Sequence, residues 1–578
     1  MQRKYYILFI LAVLVYITNM QIDVMLVDAA QYAEMSWEML TTGSYLKVYN
    51  LGANYLDKPP LLFWLNSISM ALFGVSNFSY KLPSVLFVLL GVLSTYKLAR
   101  LYYDSTTASM AAVMLATTQA AFLITNDVRT DTMLMGAVAF ATWQAAAYFE
   151  QGKWQHLLLM GVGIGLAMLT KGPIGLIAPS ASLFLYVVLK KKWASVFNWR
   201  IVFPIIVIAV MLLPMCIGLY EQHGAKGLRF YFWTQSFGRI TGESEWNNNP
   251  DPIFLIHTTA WSFLPWTLFF FIGWLGTIYK WIRGGIKHAD GGELISVSGF
   301  TLVLIMLMRS RYQLPHYIYV VYPLAAIIAA RCFVDFTTWV KAKRLVTVLQ
   351  LVMLVGLIAV SALLQYAMKG ADVLSLLCLI VLYPAAIFLA IKYGEPNSFI
   401  ERIGMRVYTF INRFVRINIS AKQAAGYVLN KSGANLFWLS AAIIIAFNFM
   451  MGAFYFPAIM KYQCGNDFGK YIQQHAKPEG KLFVMYGMPM DFAHVFYAQQ
   501  MPDTTVWDKD VFAQVYGQHK NILTITTEGG LQQMQESGIP HRVVQLGLYF
   551  QVAKLNLKFL NPATRASVCE RQYLIETY

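Results

Sequence analysis

The chain has 578 residues, of which 57% are hydrophobic, 15% aromatic and only 13% charged, with a mean hydropathy of +0.50. A soluble domain carries roughly 25% charged residues, so this composition excludes a wholly soluble protein and points to a polytopic membrane protein. The formal net charge of +16 would suit nucleic acid in a soluble chain, but the Lys and Arg residues cluster between apolar runs, where membrane topology explains them, and no nucleic-acid partner is expected.

Taken in order, the opening MQRK followed by YYILFILAVLVYITNM has the charge-then-apolar order of a signal peptide without an A-x-A-like cleavage site, and reads as a retained first span. Runs long enough to cross a bilayer recur about thirteen times. They lie near 5–22, 82–100, 107–125, 132–149, 155–170, 173–190, 201–219, 253–279, 293–308, 315–332, 345–367, 372–391 and 434–458. Alternate connections are rich in Lys and Arg, among them Arg3 and Lys4, Lys97 and Arg100, Lys190 to Lys192, and the long connection 392–433. By the positive-inside rule these are cytoplasmic, as is the N-terminus. The connection 392–433 is also amphipathic and is expected to lie on the inner leaflet as a helix.

After Pro457 the composition turns soluble. Short β-rich runs such as KLFVMYG and NILTITT alternate with helical stretches such as LQQMQES, which predicts a small α/β domain over 461–578 on the non-cytoplasmic side. The expected division is therefore a transmembrane domain over 1–460, with an external loop at 23–60, and this C-terminal domain. Cys464 and Cys569 stand near the ends of the latter in what should be an oxidising compartment, so they are expected to pair, with two free thiols as the alternative.

The opposite connections hold the residues that call for a chemical reason. Asp28, Lys58, Arg129, Asp131, Lys171, Arg239, Arg311, His316 and Tyr317 all fall at one bilayer face under this topology, and polar groups beside lipid are rarely idle. Acids alone would suggest a proton path and bases alone a phosphate site. Both together suit a reaction that expels a lipid phosphate, with cations around the leaving group and a carboxylate to take the nucleophile's proton. Lys58 precedes Pro59 and Pro60, which hold its backbone extended. Tyr32 and Tyr55 can stack on a sugar ring or serve as interfacial aromatics.

The order of Asp28 and Tyr32 after the first span, TGSYL, YLDKPPLLFWL, RTDTML, LTKGPIG, WSFLPW and SRYQLPHYIYVVYP resembles the GT-C membrane glycosyltransferases. Within them it is similar to the bacterial aminoarabinose transferases of lipid A and to the protein mannosyltransferase superfamily. The resemblance covers about residues 1–335. It implies a mainly α, GT-C-like fold and inverting transfer of a sugar from a polyprenyl-phosphate carrier to a lipid A, glycan or protein acceptor outside the cytoplasm of a bacterium, at its inner membrane. It also implies Asp28 as the catalytic acid/base residue. Lys58, Tyr55 and Tyr317 are implied at the donor phosphate, where Lys171, Arg239 and Arg311 are further candidates. Asp131, with Arg129, Tyr32 and His316, is assigned to substrate contacts. Three positions depart from the family pattern: Asp28 is followed by Ala29, Asp57 precedes Lys58, and Arg311-Tyr312-Gln313 precedes the LPHY segment. No cofactor is required by this reading; a divalent metal would have Asp57 and His257 as its candidate ligands. The rival class is a lipid or sugar transporter or flippase.

Overall fold

In lipid, a backbone whose hydrogen bonds close within its own segment is the one that can span, and each of the thirteen apolar runs falls on helical segments. The computed structural model describes residues 4–235, 238–241, 243, 247–336, 343–368, 373–393 and 434–578. The basic connection at 392–433 lies almost wholly outside these described residues. In chain order the helices are α1 (Tyr5–Asn19), α2 (Asp28–Thr42), α3 (Leu61–Phe73), α4 (Asn77–Tyr102), α5 (Ser105–Thr117), α6 (Gln119–Asn126), α7 (Thr130–Gln151), α8 (Trp154–Lys171) and α9 (Ile174–Leu189). There follow α10 (Val202–His223), α11 (Phe254–Ser262), α12 (Thr267–Gly284), α13 (Gly291–Met308), α14 (Tyr322–Phe336), α15 (Lys343–Ala367), α16 (Val373–Tyr393) and α17 (Ala434–Met450).

Among the described residues, seven helical segments are long and apolar enough to cross a membrane, or eight if α5 and α6, bent by 47°, make one span. The other expected spans differ for visible reasons. α1 has 15 residues and α9 has 16, and the run at 253–279 breaks into α11 and α12. α7 and α8 are long enough but less apolar, and they pack together inside the bundle. Close helix contact relies on small residues. Gly136 on α7 lies against the Phe87 carbonyl of α4, where a Cβ would collide with it, and Gly163 on α8 abuts Ala141 of α7. One cation is buried within this packing: the Lys81 ammonium donates to the carbonyls of Asn19 (3.1 Å) and Ile22 (2.7 Å) and to Asn126 Oδ1 (2.8 Å). Its three N–H groups thus meet three acceptors, which is the condition for burying an ammonium group.

Beyond α17 the chain builds a five-stranded sheet from β3 (Leu482–Tyr486), β4 (Thr504–Val506), β5 (Ile522–Thr527), β6 (His541–Tyr549) and β7 (Glu570–Thr577), in the order β4-β3-β5-β7-β6. The hairpin strands β1 (Tyr49–Asn50) and β2 (Ala53–Asn54) lie far upstream. β3 runs parallel to β4 and β5, and β7 is antiparallel to β5 and β6. The period-two rule splits β3 cleanly. Phe483 and Met485 join Phe468 and Ile472 of α18 (Gly465–His475) on one face, while Val484 and Tyr486 join Phe512 and Met534 on the other. The second short helix on the first face is α19 (Phe492–Ala498), which also packs against α2.

The expected Cys464–Cys569 disulfide is not formed, and both cysteines are free. Cys464 is buried in the sheet's inner core and its Sγ donates to Gln572 Oε1 at 3.2 Å, whereas Cys569 packs against the apolar cluster of the helical bundle. Each thiol belongs to a different core, so proximity to the two ends of a segment did not bring them together.

Candidate functional site

Asp28 begins α2, but it does not cap that helix. Val27 occupies the cap position without a side-chain bond, and the Asp28 carboxylate accepts instead from Arg129 Nη1. Arg129 stands just before α7, and its other donors reach Asp127 Oδ2 at 2.9 and 3.0 Å. Arg129 therefore does not pair with its near neighbour Asp131 but forms a fork that joins Asp28 to Asp127. The Asp28 side chain keeps 39% of its surface exposed while that of Arg129 keeps 16%, so the carboxylate is held from behind and open in front.

Asp131, in the first turn of α7, takes a different partner. Lys171 Nζ, at the C-terminal end of α8, lies 2.5 Å from Asp131 Oδ1. Both charges sit where the helix dipoles favour them, an acid near an N-terminus and a base near a C-terminus. Asp131 is nearly sealed, with 4% of its side chain exposed. The same ammonium lies 3.7 Å from the centre of the Tyr317 ring, and His316 Nε2 is 3.6 Å from Asp131 Oδ2. His316 and Tyr317 enter from the 3-10 turn Pro315–Val321 that leads into α14.

Lys58 comes from a third direction. Pro60 precedes α3 directly, and the hairpin β1–β2 lies just upstream, so the Asp57-Lys58 pair is fixed between two ordered elements. Lys58 Nζ is 2.5 Å from Asp57 Oδ2, and Gln235 Nε2 donates to Asp57 Oδ1 (2.7 Å) and to the Asp57 carbonyl. Lys58 is close enough to Asp131 and His316 to act on both electrostatically. Tyr32 and Tyr55 both set ring edges against Phe63, at 5.8 and 6.2 Å. Burial holds both phenols well above the usual tyrosine range, and the carboxylates of Asp28 and Asp57 add to the effect. These phenols thus keep their protons and are available as donors.

The structure thus brings Asp28, Tyr32, Tyr55, Asp57, Lys58, Arg129, Asp131, Lys171, His316 and Tyr317 into one polar cluster. It does not bring in every candidate. Arg311 is exposed and contacts Asn248 through its carbonyl, and the Arg239 side chain is not among the described groups. His257 sits edge-on to Phe254 at 5.3 Å, while Asp57 is engaged by Lys58 and Gln235. Among the described residues no three His, Cys, Asp or Glu side chains gather to hold an ion, so the expected Asp57–His257 metal site does not fit this donor set. Gln235 was not singled out by sequence, since a lone Gln in a loop carries no pattern. Lys81 had a visible signal, a Lys directly before the apolar run of α4.

With the helical bundle, the C-terminal sheet and the polar cluster described, the chain is similar in sequence and in fold to membrane-bound sugar transferases. Residues 57–217 match the family model of dolichyl-phosphate-mannose-protein mannosyltransferases. The chain is similar to the undecaprenyl phosphate-alpha-4-amino-4-deoxy-L-arabinose arabinosyl transferase of Edwardsiella ictaluri, 26% identical over 313 residues that cover 52% of this chain and 54% of that protein. A counterpart from Pseudomonas fluorescens is 25% identical over 354 residues, 59% of this chain and 61% of that one. The matched region therefore spans little more than half the length of these relatives. In fold the likeness runs further: the crystal structure of ArnT from Cupriavidus metallidurans bound to undecaprenyl phosphate superposes with a TM-score of 0.66, covering 98% of this chain and 97% of that one at 16% identity.

Proposed function

We propose that the protein is an inverting glycosyltransferase that moves a sugar from a polyprenyl-phosphate carrier to an acceptor on the non-cytoplasmic face of a bacterial inner membrane. The observation that carries this reading is the meeting of a half-open carboxylate, Asp28 on Arg129, with two ammonium groups, Lys58 and Lys171, in one cluster fed by separate elements. The similarity to arabinosyl transferases named for an undecaprenyl-phosphate sugar agrees with it.

In this mechanism the acceptor O–H donates to Asp28, and its oxygen attacks the anomeric carbon as the proton passes to the carboxylate. The bond from that carbon to the phosphate oxygen breaks, and the electron pair leaves with the polyprenyl phosphate. Lys58 and Lys171 stabilise the charge that develops there, because a fixed cation in a partly dehydrated site acts more strongly than one in water. Tyr317 steadies the Lys171 ammonium from its ring face. Asp131 orients Lys171, and Tyr32 and Tyr55 present hydroxyls and ring surface to the sugar. The carrier tail stays between helices, and residues 461–578 act as a periplasmic domain above about thirteen spans with the N-terminus inside. The acceptor is a lipid A, glycan or protein group.

The test is to incubate purified protein with labelled polyprenyl-phosphate sugar and envelope acceptors. Acceptor-dependent release of free polyprenyl phosphate is expected, and Asp28→Asn should lower it by about 10²- to 10⁴-fold, the usual share of a general base. Carrier movement across vesicles without cleavage would refute the enzyme reading and favour a flippase.

A further inference from the structure

The strap that joins α1 to α2, residues 20–27, is held along its length from outside the bundle. Gln463, which is almost fully buried, reads it as a neighbouring strand would: its Nε2 donates to the Val24 carbonyl at 2.8 Å and its Oε1 accepts from Leu26 N at 2.9 Å. Tyr497 of α19 accepts from Val24 N at 2.7 Å through its hydroxyl, which in turn donates to Asn77 Oδ1 at 2.7 Å. Lys470 of α18 reaches the Asp23 carboxylate at 2.8 Å, and Asn77 donates to the same carboxylate at 2.9 Å. From the bundle side, Lys81 takes the Ile22 carbonyl and Tyr80 takes the Ala29 carbonyl at 2.6 Å. The contacts of the C-terminal region, at Asp23, Val24 and Leu26, lie two to five residues before Asp28. A one-sided strap would be free to rotate, but here three side chains from the C-terminal region meet three from α4, Asn77, Tyr80 and Lys81, across it.

We infer that Gln463 and Tyr497 are positioning residues for Asp28, so that the C-terminal region completes the reaction site although it supplies no residue to the polar cluster. The two bonds of Gln463 fix the peptide planes at Val24 and Leu26, and the bond of Tyr497 fixes a third point. With those planes set, the first turn of α2 starts in one orientation and the Asp28 carboxylate meets Arg129. Loss of the bonds leaves the cations at Lys58 and Lys171 in place, since they hang from α3, α7 and α8. The inference separates two properties of one site: phosphate binding is independent of the C-terminal region, and the aim of the base depends on it. It rests on the glycosyltransferase reading for its catalytic half, while its structural half stands on the strap contacts alone.

The experiment uses the full chain in detergent or nanodiscs with Gln463→Ala, Gln463→Glu and Tyr497→Phe, the last removing a single oxygen. Amide hydrogen exchange over residues 22–30, affinity for polyprenyl phosphate, and kcat and KM for sugar transfer are each measured. In Gln463→Ala the strap amides should exchange at least tenfold faster, with α18 and the sheet still protected. Turnover should fall at least tenfold while polyprenyl phosphate affinity and donor KM stay within twofold. Gln463→Glu keeps the acceptor for Leu26 N and should recover part of both. Unchanged strap exchange in Gln463→Ala and Tyr497→Phe overturns the inference, as does faster exchange with wild-type turnover. If the wild-type chain transfers no sugar yet the strap responds as stated, the tether stands and the catalytic reading is the part that fails.

Discussion

Replacing Lys171 by Met removes a charge from a pair whose other member has almost no water. Asp131 shows 4% of its side chain to solvent and has Lys171 at 2.5 Å and His316 at 3.6 Å. Removing one partner of such a pair leaves an uncompensated buried charge, at a cost of about 3–5 kcal/mol. Replacing both, as in Asp131→Asn with Lys171→Met, removes the stranded charge as well and should recover most of that loss. Phosphate affinity follows a different rule. A hydrogen bond to a charged group is worth about 1.5–3 kcal/mol, so both the single and the double variant should bind polyprenyl phosphate about ten- to a hundredfold more weakly. Thermal unfolding in detergent reads the first quantity and a binding titration with the lipid phosphate reads the second. A single variant as stable as the double would show that the Asp131–Lys171 pair is not sealed as described. Wild-type phosphate affinity in Lys171→Met would remove Lys171 from the leaving-group site.

Two further outcomes follow from groups away from the cluster. Alkylation of unfolded protein without reductant should label Cys464 and Cys569 as free thiols; a mass unchanged at both would restore the disulfide. Glu34 and Glu38 on α2 are both buried, and burial beside Glu38 pushes the Glu34 carboxyl up to about 9. The folded state therefore holds a proton that the unfolded chain releases above the ordinary carboxylate value, and stability falls as pH rises from about 4.5 towards 9. Glu34→Gln should flatten that decline in thermal scans, and an unaltered pH profile would refute the burial argument.

The helices were legible because a single physical demand, closing backbone hydrogen bonds in lipid, writes itself as long apolar runs. The membership of the cluster was legible for a related reason: polar side chains beside lipid are few, and the topology assigns them to one end. Partners were not legible. Arg129 joins Asp28 across a hundred residues of chain, although Asp131 is two residues away, because α7 turns Asp131 towards α8 and leaves Arg129 facing the start of α2. Glu34 and Glu38 have the spacing of a solvated helix face, but α2 is covered by α3 and α19, so that spacing pointed the wrong way. The strap contacts of Gln463 and Tyr497 had no signal at all, since they join backbone to residues more than four hundred positions apart.

The two lysines of the cluster differ in a way that assigns them different tasks. Lys171 is bound to a buried acid and cannot leave it cheaply, which makes it a fixed cation. Lys58 faces Asp57 in a pair whose side chains are 16% and 31% exposed, and a partly exposed pair contributes only about 0–1 kcal/mol. Under the proposed function an arriving phosphate can therefore take over the Lys58 ammonium at small cost, with Asp57 as the group it would displace. Asp57→Asn removes that competitor and keeps the Oδ1 acceptor for Gln235, so affinity for polyprenyl phosphate should rise, by up to about fivefold if the whole pair energy is released. The sign is the test, because a structural or metal-binding role for Asp57 predicts the opposite. A tenfold loss of affinity in Asp57→Asn would show that the carboxylate is needed at the site and that Lys58 does not bind the donor by exchanging partners.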